Sequence, residues 1–559
     1  MERALGTTGT DNRKSKSIAQ RGERSSLLWA PLLAIGTAAF CVEIPFFFLG
    51  TPSGHDVEFH LYSWLEVLGQ WKHGTLFPRW ASLAHFAYGE PRFVFYPPAS
   101  WTLGGLISAI FPWTIASPVF IWIALVLAGV SMFFAARRWL DRRDAVFAAV
   151  LYAVNPYHLV IVYWRSSFAE LLASCLVPLL FLLLVEGAEE RGWRVTVPLG
   201  FVLAAAWLTN APAAVMIHYS LALLVVSQAA QKRAARIILI ATASVALGAC
   251  LSAFYLVPAI YEQRWIEISN AVSAGSRPAD NFLFIHTSDA DHDAFNKLIT
   301  WVAVLEMFTV VGAAAAARAW RETQRAAWNS LIGWAGACSV MMLSVTGILW
   351  QFLPKMRFMQ FPWRWTLCLS AIFTLFVTIG VKRWWMRAVV YAACVLLIGV
   401  AWHRVQVPWW DNAGDLREMQ DNMYTGAGYE GTDEYTPLGG DPGALDKDAR
   451  KVTVDGPAHA AIRVLQWNAE SKVFSAEMSA ADRLALRLFE YPAWRVEVNG
   501  RVVSTTAREG TGQMLVPVGP GANRVDISFV RTRDRSVGGW VSVATILALI
   551  GWWVRKFSF

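Results

Sequence analysis

Long apolar runs separated by short polar segments dominate the chain. A helix needs about 20 apolar residues to cross the hydrocarbon core of a bilayer, and runs near or above that length recur along the whole sequence. These runs lie at 27–50, 115–136, 144–162, 168–186, 195–209, 212–229, 237–258, 298–317, 329–350, 364–381, 387–403 and 537–554. The pattern predicts an α-helical polytopic membrane protein with about twelve transmembrane helices.

Composition and charge agree with this class. Of the 559 residues 55% are hydrophobic and 16% are charged, against about 25% charged in soluble domains. Basic residues cluster after every second apolar run, within 137–143, 191–194, 232–236, 318–325, 382–387 and 555–556. The positive-inside rule places such clusters in the cytoplasm, so we expect a bacterial inner-membrane protein with both termini cytoplasmic. The net charge of +8 then reflects orientation among membrane lipids, and no nucleic-acid partner is expected.

The segments outside the runs predict the remaining organisation. The apolar stretch 98–112 is too short to span a bilayer and is bounded by prolines, so we interpret it as a re-entrant or interfacial helix. From about residue 448 apolar and polar residues alternate and Asn499-Gly500 is a hairpin signal, which together predict a small antiparallel β-sandwich. The predicted units are a basic cytoplasmic tail at 1–26, a transmembrane domain at 27–410 with outer loops 51–114 and 259–297, an irregular extracytoplasmic connection at 411–447, the β-sandwich domain at 448–536, and a last helix with a cytoplasmic tail at 537–559.

The first outer loop carries the most informative polar residues. Asp56 and His60 are spaced i,i+4, so a helix that begins near Asp56 puts a carboxylate and an imidazole on one face at the membrane boundary. Glu58 adds a second acid. Two alternatives stay open, because Asp56 could serve only as a helix N-cap and a single histidine such as His60 is more often structural than catalytic.

Several short motifs in and beyond this loop point to one family. They are HDVEFHLY (55–62), FPRW (77–80), GEPRFVFYPP (89–98), NPYH (155–158), LTNAP (208–212) and QFPWRW (360–365). With them the chain resembles the GT-C superfamily of membrane glycosyltransferases, and within it the bacterial membrane family named 6-pyruvoyl-tetrahydropterin synthase related. The segment YPAWRVEVNG (491–500) resembles the tail domain of large bacterial membrane proteins of glycosyl-transfer type.

The resemblance implies an inverting hexosyl- or pentosyltransferase. Such an enzyme moves a sugar from a polyprenyl-phosphate donor to a glycan, lipid or protein acceptor outside the cytoplasm. The residues expected to be catalytic are Asp56 as the base, with His60 and Glu58 beside it. The leaving phosphate needs cationic partners, and arginine fits phosphate oxygens bidentately. The expected phosphate-binding residues are Arg79, Arg92, Arg165, Arg357 and Arg364. For each of them, snorkelling to the membrane interface is the alternative explanation.

The outer segments also contain candidate sugar-binding and metal-binding residues. Aromatic faces beside carboxylates suit sugars, and the candidates of this kind are Tyr96, Glu170, Glu430 and Asp433. Some GT-C enzymes use a divalent metal, and the segment 286–293 offers ligands for Mg²⁺ or Mn²⁺ in His286, Asp289 and Asp291. A solvated acidic loop is the alternative interpretation of that segment, and a glycine-rich linker is the alternative for the segment around Glu430.

Two functions of other classes stay open. A transporter or flippase of lipid-linked glycans would carry charges inside several central helices, whereas here acids and arginines collect at the predicted outer side. A non-catalytic scaffold could instead use the β domain to bind envelope glycan. Direct use of a nucleotide is not expected, because the sequence has no Walker motif and no glycine-rich phosphate loop.

Overall fold

The structure is a computed structural model that describes residues 29–187, 192–230, 234–404 and 409–557. The basic tail predicted at 1–26 lies outside these ranges. The main helices are α1 (Trp29–Leu49), α2 (Val57–Lys72), α3 (Pro98–Ile110), α4 (Trp113–Ala136), α5 (Arg142–Arg165), α6 (Phe168–Val185), α7 (Gly192–Thr209), α8 (Ala211–Ala229), α9 (Ala234–Leu251), α10 (Ala253–Glu262), α11 (Ala290–Ala316), α12 (Arg325–Met341 with Ser344–Phe352), α13 (Pro362–Gly380), α14 (Trp384–Arg404), α15 (Ala413–Thr425) and α16 (Arg533–Phe557). Short helical turns connect several of them.

All of these helices except α2, α3, α10 and α15 belong to the membrane-spanning set. Among the described residues, eleven helices are long and apolar enough to cross a bilayer. The two halves of α12 meet at 88°, and counting this bent pair as one span gives twelve. The predicted class, a polytopic helical membrane protein with about twelve spans, is therefore confirmed.

Helices α2 and α3 pack together at the end of the bundle that carries Asp56, which we call the Asp56 face. Helix α3 has 13 residues, too few to span a bilayer, as the proline-bounded stretch predicts. The two helices approach closely because Gly104 has no side chain: a Cβ there would lie 2.1 Å from Trp64. The Trp64 indole in turn stacks on Phe120 of α4, with ring centroids 5.0 Å apart, so this layer is packed firmly onto the bundle.

The connection after α14 is more regular than the sequence indicates. The predicted irregular stretch 411–447 begins with helix α15, so that part of the prediction was wrong. A capping box of Asn412 and Asp415 starts the helix, and Gly426 ends it with a φ of 75°. Leu416 and Met419 are its buried side chains, so only a narrow apolar stripe marks it in a polar, glycine-rich sequence.

The C-terminal domain is an antiparallel sandwich of two sheets. A short pair, β1 (Thr51–Pro52) and β2 (Trp410–Asp411), joins the first loop to the connection. The sandwich strands are β3 (Val452–Val454), β4 (Ala460–Trp467), β5 (Ser471–Met478), β6 (Asp482–Phe489), β7 (Trp494–Val498), β8 (Arg501–Val503), β9 (Thr506–Ala507), β10 (Gln513–Val518) and β11 (Gly521–Phe529). One sheet has the order β3-β6-β10-β9 and the other β4-β5-β11-β7-β8. Asn499 and Gly500, both at positive φ, form the predicted two-residue turn between β7 and β8.

A buried ion pair fastens this domain to the bundle. Glu262, at the end of α10, accepts hydrogen bonds from Arg535 at 2.6 and 2.7 Å and from the Tyr491 hydroxyl at 2.6 Å. The Glu262 and Arg535 side chains are essentially unexposed. Because Arg535 lies on α16 and Tyr491 lies just after β6, one carboxylate fixes a transmembrane helix and the sandwich together.

Candidate active site

The break between α5 and α6 shapes the region around Asp56. The last turn of α5, Ile161–Arg165, is π-helical, and Ser166 has a left-handed φ of 47°; such turns are frequent at functional sites. The Ser166 hydroxyl donates to the Pro52 carbonyl at 2.9 Å and accepts from the Gly54 amide at 3.0 Å. Gly54 has to be glycine, since a Cβ there would lie 2.5 Å from the Trp164 carbonyl. The break therefore brings the first loop against the end of α5.

Five side chains then form one charged network, which we call the Asp56 cluster. Arg165 contacts Asp56 at 3.2 Å and Glu170 at 3.4 Å. Arg364, from the start of α13, contacts Glu170 at 3.2 Å. The Tyr157 hydroxyl donates to the other Glu170 oxygen at 2.5 Å. The Glu170 carboxylate of α6 thus joins side chains of α5 and of α13, two transmembrane segments that are far apart in sequence.

Accessibility within the Asp56 cluster is uneven. The Glu170 side chain is 0% exposed, and those of Arg165 and Arg364 are 2% and 6% exposed. The Asp56 side chain is 35% exposed. Asp56 is therefore the member of the ion-paired set that a molecule from outside can reach.

Asp56 occupies the N-cap position of α2 without acting as a cap. Its side chain makes no capping hydrogen bond, and one carboxylate oxygen contacts Arg165 instead. Burial raises the pKa of Asp56, but Arg165 in the first place, with smaller effects of His60, Arg364 and a hydrogen bond from Ser167, outweighs burial and holds the pKa below its ordinary value. The carboxylate is thus ionised at neutral pH, as a general base must be.

Two further predicted residues adjoin Asp56. His60 is buried and stacks on Phe168 with ring centroids 5.1 Å apart. Burial first, and then the charges of Arg92 and Arg165, lower its pKa to about 4, so the imidazole is neutral at pH 7. The Tyr96 ring lies 5.9 Å from His60, and burial together with the Asp56 charge raises the Tyr96 pKa. Glu58 is exposed on the first turn of α2.

The segment before α13 supplies an exposed cation. Arg364 donates to the Met359 carbonyl at 2.7 Å and to the Gln360 side chain at 3.3 Å. Two residues before Met359, Arg357 is exposed and rests against the Phe358 ring, 4.8 Å from its centroid. Within the described chain Arg357 forms no ion pair, so its guanidinium is free to meet an anion.

Two of the predicted phosphate-binding arginines are engaged elsewhere. Arg92 is 1% exposed and contacts Glu90 at 2.6 Å, and His85 contacts the same carboxylate at 2.9 Å. We call these three residues the Glu90 cluster. Arg79 lies at the β domain, where its amide donates to Glu470 at 2.8 Å and its guanidinium covers the Phe77 ring. Each of these two arginines is thus engaged by other groups of the protein, and a phosphate-binding role for either stays a prediction.

The predicted sugar-binding residues divide in a similar way. Tyr96 adjoins His60 beside Asp56. Glu170 is fully buried, so it cannot touch a substrate; it holds Arg165 and Arg364 in place instead. Glu430 and Asp433 are exposed on the connection after α15, and the structure gives neither a contact with the Asp56 cluster.

The predicted metal ligands do not converge. His286 contacts Asp293 at 3.0 Å, and Asp289 caps α11 by accepting from the His292 amide at 2.8 Å. Asp291 is exposed in the first turn of that helix. Across the described ranges, no group of three or more His, Cys, Asp or Glu side chains is placed to hold a metal ion.

Sequence reasoning passed over three buried polar residues. Tyr157 lies in the NPYH motif and joins the Asp56 cluster. Glu306, inside α11, accepts from the Ser370 hydroxyl at 2.9 and 3.0 Å. Glu43, inside α1, is buried and one of its oxygens has no hydrogen-bond partner in the described part of the chain. Glu43 and Glu306 could have been noticed in the sequence, because each is an ionisable residue inside a long apolar run.

The profile of the family described as 6-pyruvoyl-tetrahydropterin synthase related domain, a membrane protein family, matches residues 93–407. No curated protein sequence matches significantly. A crystal structure of the Archaeoglobus fulgidus oligosaccharyltransferase in the apo form is similar with 14% identity and a TM-score of 0.46, covering 69% of this chain and 56% of that one. A second structure of that protein, in complex with Zn and sulfate, has 14% identity, a TM-score of 0.38 and coverages of 71% and 53%.

The chain thus spans little more than half the length of those solved chains. The family profile, in contrast, covers more than half of this sequence and includes Tyr157, Arg165, Glu170 and Arg364 of the Asp56 cluster. This chain belongs to the 6-pyruvoyl-tetrahydropterin synthase related family of membrane proteins.

Proposed function

We propose that the protein is an integral-membrane glycosyltransferase of the GT-C type. It transfers a sugar from a polyprenyl-phosphate donor to a glycan, lipid or protein acceptor, with inversion at the anomeric carbon. The observation that carries this proposal is the Asp56 cluster: one reachable carboxylate beside two buried arginines, at the end of a bundle of membrane helices. The positions of the basic clusters support an extracytoplasmic location of the Asp56 face in a bacterial inner membrane.

In the proposed reaction Asp56 is the general base. Its carboxylate accepts the proton of the acceptor hydroxyl while that oxygen attacks the anomeric carbon of the donor sugar. The bond between this carbon and the phosphate oxygen breaks, and the electron pair leaves with the polyprenyl phosphate. A single displacement of this kind inverts the anomeric configuration. The leaving phosphate is a weak base, so no general acid is needed.

Positive charge near the leaving group is the second requirement. Arg165 and Arg364 supply it from behind Asp56, and Glu170 fixes both of them. Their small exposure means that they act chiefly by charge in a site from which water is largely excluded, where charges interact more strongly than in bulk water. Arg357 is exposed on the same side and is the proposed direct contact for the donor phosphate.

A metal-dependent variant of this chemistry would use Mg²⁺ or Mn²⁺. The residues present do not fit it well, because Asp56 is the single reachable acid of its cluster and its nearest charged partner is an arginine. The proposed reaction therefore includes no step through a metal ion.

The test is to purify the protein in lipid nanodiscs and measure release of polyprenyl phosphate from a panel of polyprenyl-phosphate sugars, with and without envelope glycans as acceptors. We expect acceptor-dependent release with at least one donor. No release with any donor, in a folded protein that still binds lipid-linked sugar, would contradict the proposal.

A second candidate function is transport of lipid-linked glycans. It is favoured by the buried acids Glu43 and Glu306 inside membrane spans, since such residues mark ion and substrate pathways in transporters. Movement of a labelled lipid-linked sugar across proteoliposomes, without formation of free polyprenyl phosphate, would support this candidate against the transferase.

A further inference from the structure

A small cavity lies where the first loop meets the β domain. Its volume is about 170 Å³, whereas a single buried water needs only about 10–15 Å³ of such space. Two indoles, Trp80 and Trp467, and three cationic side chains, Lys451, Lys472 and Arg487, contribute to its lining, and no Asp or Glu does. None of the five belongs to the Asp56 cluster.

Lys472 is the most unusual member of this lining. Its side chain is 2% exposed, and its ammonium donates at 2.9 Å to each of the Asn468 and Ala469 carbonyls. An ammonium has three donors, so one remains. The face of Trp494, 4.3 Å away, offers no anionic atom. A buried charge without an ion-pair partner is costly, and burial lowers the pKa of Lys472 to about 7.

The other two cations also lack an anionic partner. Arg487 donates to the carbonyls of Phe86, Ala449 and Lys447 at 2.9, 3.2 and 2.7 Å, which leaves two of its five N–H groups. Lys451 is exposed, and its ammonium lies 6.0 Å from the centre of the Trp467 ring. Among the residues that the structure describes, none of the three forms an ion pair with Asp or Glu.

The neighbouring acids are already engaged. Glu66 lies behind the cavity lining and accepts from the Leu83 amide at 2.6 Å and the Ser82 hydroxyl at 3.2 Å. Glu470 accepts from the Arg79 amide. The site therefore combines aromatic surface, which suits a sugar ring, with three cationic side chains that have no anionic partner among the described residues.

We propose that this cavity binds an anionic sugar residue, one that carries a carboxylate or a phosphate. The negative group contacts Lys472 and Lys451, and the sugar ring contacts Trp467. The site is separate from catalysis and goes beyond the proposed function, so it would hold equally for a transporter. It lies on the Asp56 face: Glu66 is ten residues along α2 from Asp56, a rise of about 15 Å.

The test measures binding directly on the full chain in nanodiscs by saturation-transfer NMR. The probes are sodium glucuronate, glucose 6-phosphate, glucose and inorganic phosphate. We expect at least one of the two anionic sugars to bind at least about 10-fold more tightly than glucose, the scale of one charge-assisted hydrogen bond. The same sugar should bind more tightly than inorganic phosphate.

Matched variants locate the site. Lys472→Met and Lys451→Met remove a cation from the lining and are each expected to weaken binding several-fold or more. Lys447→Met is the control, because that ammonium rests 4.0 Å from the Phe86 ring and its side chain is not part of the lining. If Lys472→Met lowers the unfolding temperature, the proposal is tested by the binding measured for Lys451→Met, because Lys451 is exposed and its substitution is not expected to affect folding.

Three outcomes would overturn the proposal. One is equal binding of glucose and both anionic sugars. The second is inorganic phosphate that binds as tightly as the anionic sugars, which would indicate an anion site that does not recognise a sugar. The third is undiminished binding in Lys451→Met and Lys472→Met.

Discussion

Two charge clusters flank helix α2, and they differ in accessibility more than in composition. The Glu90 cluster and the Asp56 cluster both pair an acid with a buried arginine, and in both the arginine lowers the pKa of the acid, to about 2 for Glu90. Glu90 is 0% exposed and accepts from Arg92, His85 and the Thr432 amide. Asp56 is 35% exposed and contacts a single arginine.

The difference shows which property identifies a candidate site. A lowered pKa and a buried arginine are common to both clusters, so neither distinguishes structure from function. In the Glu90 cluster both acid oxygens have partners and solvent is excluded, as in a structural ion pair. In the Asp56 cluster the acid keeps an open side, while the Nε of Arg165 is buried without a hydrogen-bond partner in the described chain.

Arg165→Met has the largest expected effect on turnover. It removes the cation nearest to Asp56 and leaves Glu170 with Arg364 and Tyr157. We expect a loss of about 10²–10³-fold in kcat, the scale for removing one electrostatic stabiliser, measured as release of polyprenyl phosphate. A variant that turns over at the wild-type rate would remove Arg165 from the site.

Arg92→Met has the largest expected effect on stability. It leaves Glu90 as a buried acid without its main cation, at a cost of about 3–5 kcal/mol. Denaturation in detergent should show this loss. Turnover per folded molecule should stay near the wild-type value. If the variant is as stable as the wild type but loses turnover, Arg92 binds the donor phosphate as the sequence predicts.

Arg357→Gln has a smaller expected effect. Because Arg357 is exposed and its contact with phosphate is open to solvent, we expect KM for the donor to rise by about 3- to 10-fold, in the range for one charge-assisted hydrogen bond, with kcat little changed. Lys355→Gln is the matched control, since Lys355 is exposed nearby and donates to Gln263. Equal effects of the two variants would contradict a specific role for Arg357.

The smallest expected effect is a change in the pH at which turnover declines. Asp56 is active when ionised, and its pKa lies below its ordinary value of 3.8. Turnover should therefore hold as pH falls to the ordinary pKa of an aspartate and decline only below it. In Arg165→Met the lowering charge is gone, so the decline should begin at a higher pH. If the turnover of the wild type and of Arg165→Met declines at the same pH, the result would contradict the ion pair between Asp56 and Arg165.

The sequence predicts the helix bundle well, because a membrane span can be identified from the length and apolar content of a segment alone. Helix α15 was missed because its buried stripe of Leu416 and Met419 is too narrow to stand out in a polar segment. The alternating strands and the Asn-Gly turn were predicted because each depends on local signals.

The site was only partly predictable. Arg165 and Glu170 are five residues apart and Arg364 lies in a distinctive motif, so a role of these residues in the site could be inferred from the sequence. The sequence could not show that one buried acid, Glu170, contacts both arginines. Arg92 illustrates the limit: whether an arginine meets a ligand or a protein carboxylate depends on tertiary packing. In this case the partner, Glu90, is two residues away and was passed over.

A paired substitution on α2 tests the central claim most directly. Asp56→Asn and Glu66→Gln each neutralise one acid near α2, the first partly exposed and the second 3% exposed and fully hydrogen-bonded. We predict that Asp56→Asn keeps the wild-type unfolding temperature and loses at least about 10²-fold in turnover. Glu66→Gln should lose about 1–3 kcal/mol of stability and keep its turnover per folded molecule. Full turnover in Asp56→Asn, in a protein that transfers sugar, would contradict the assignment of Asp56 as the base.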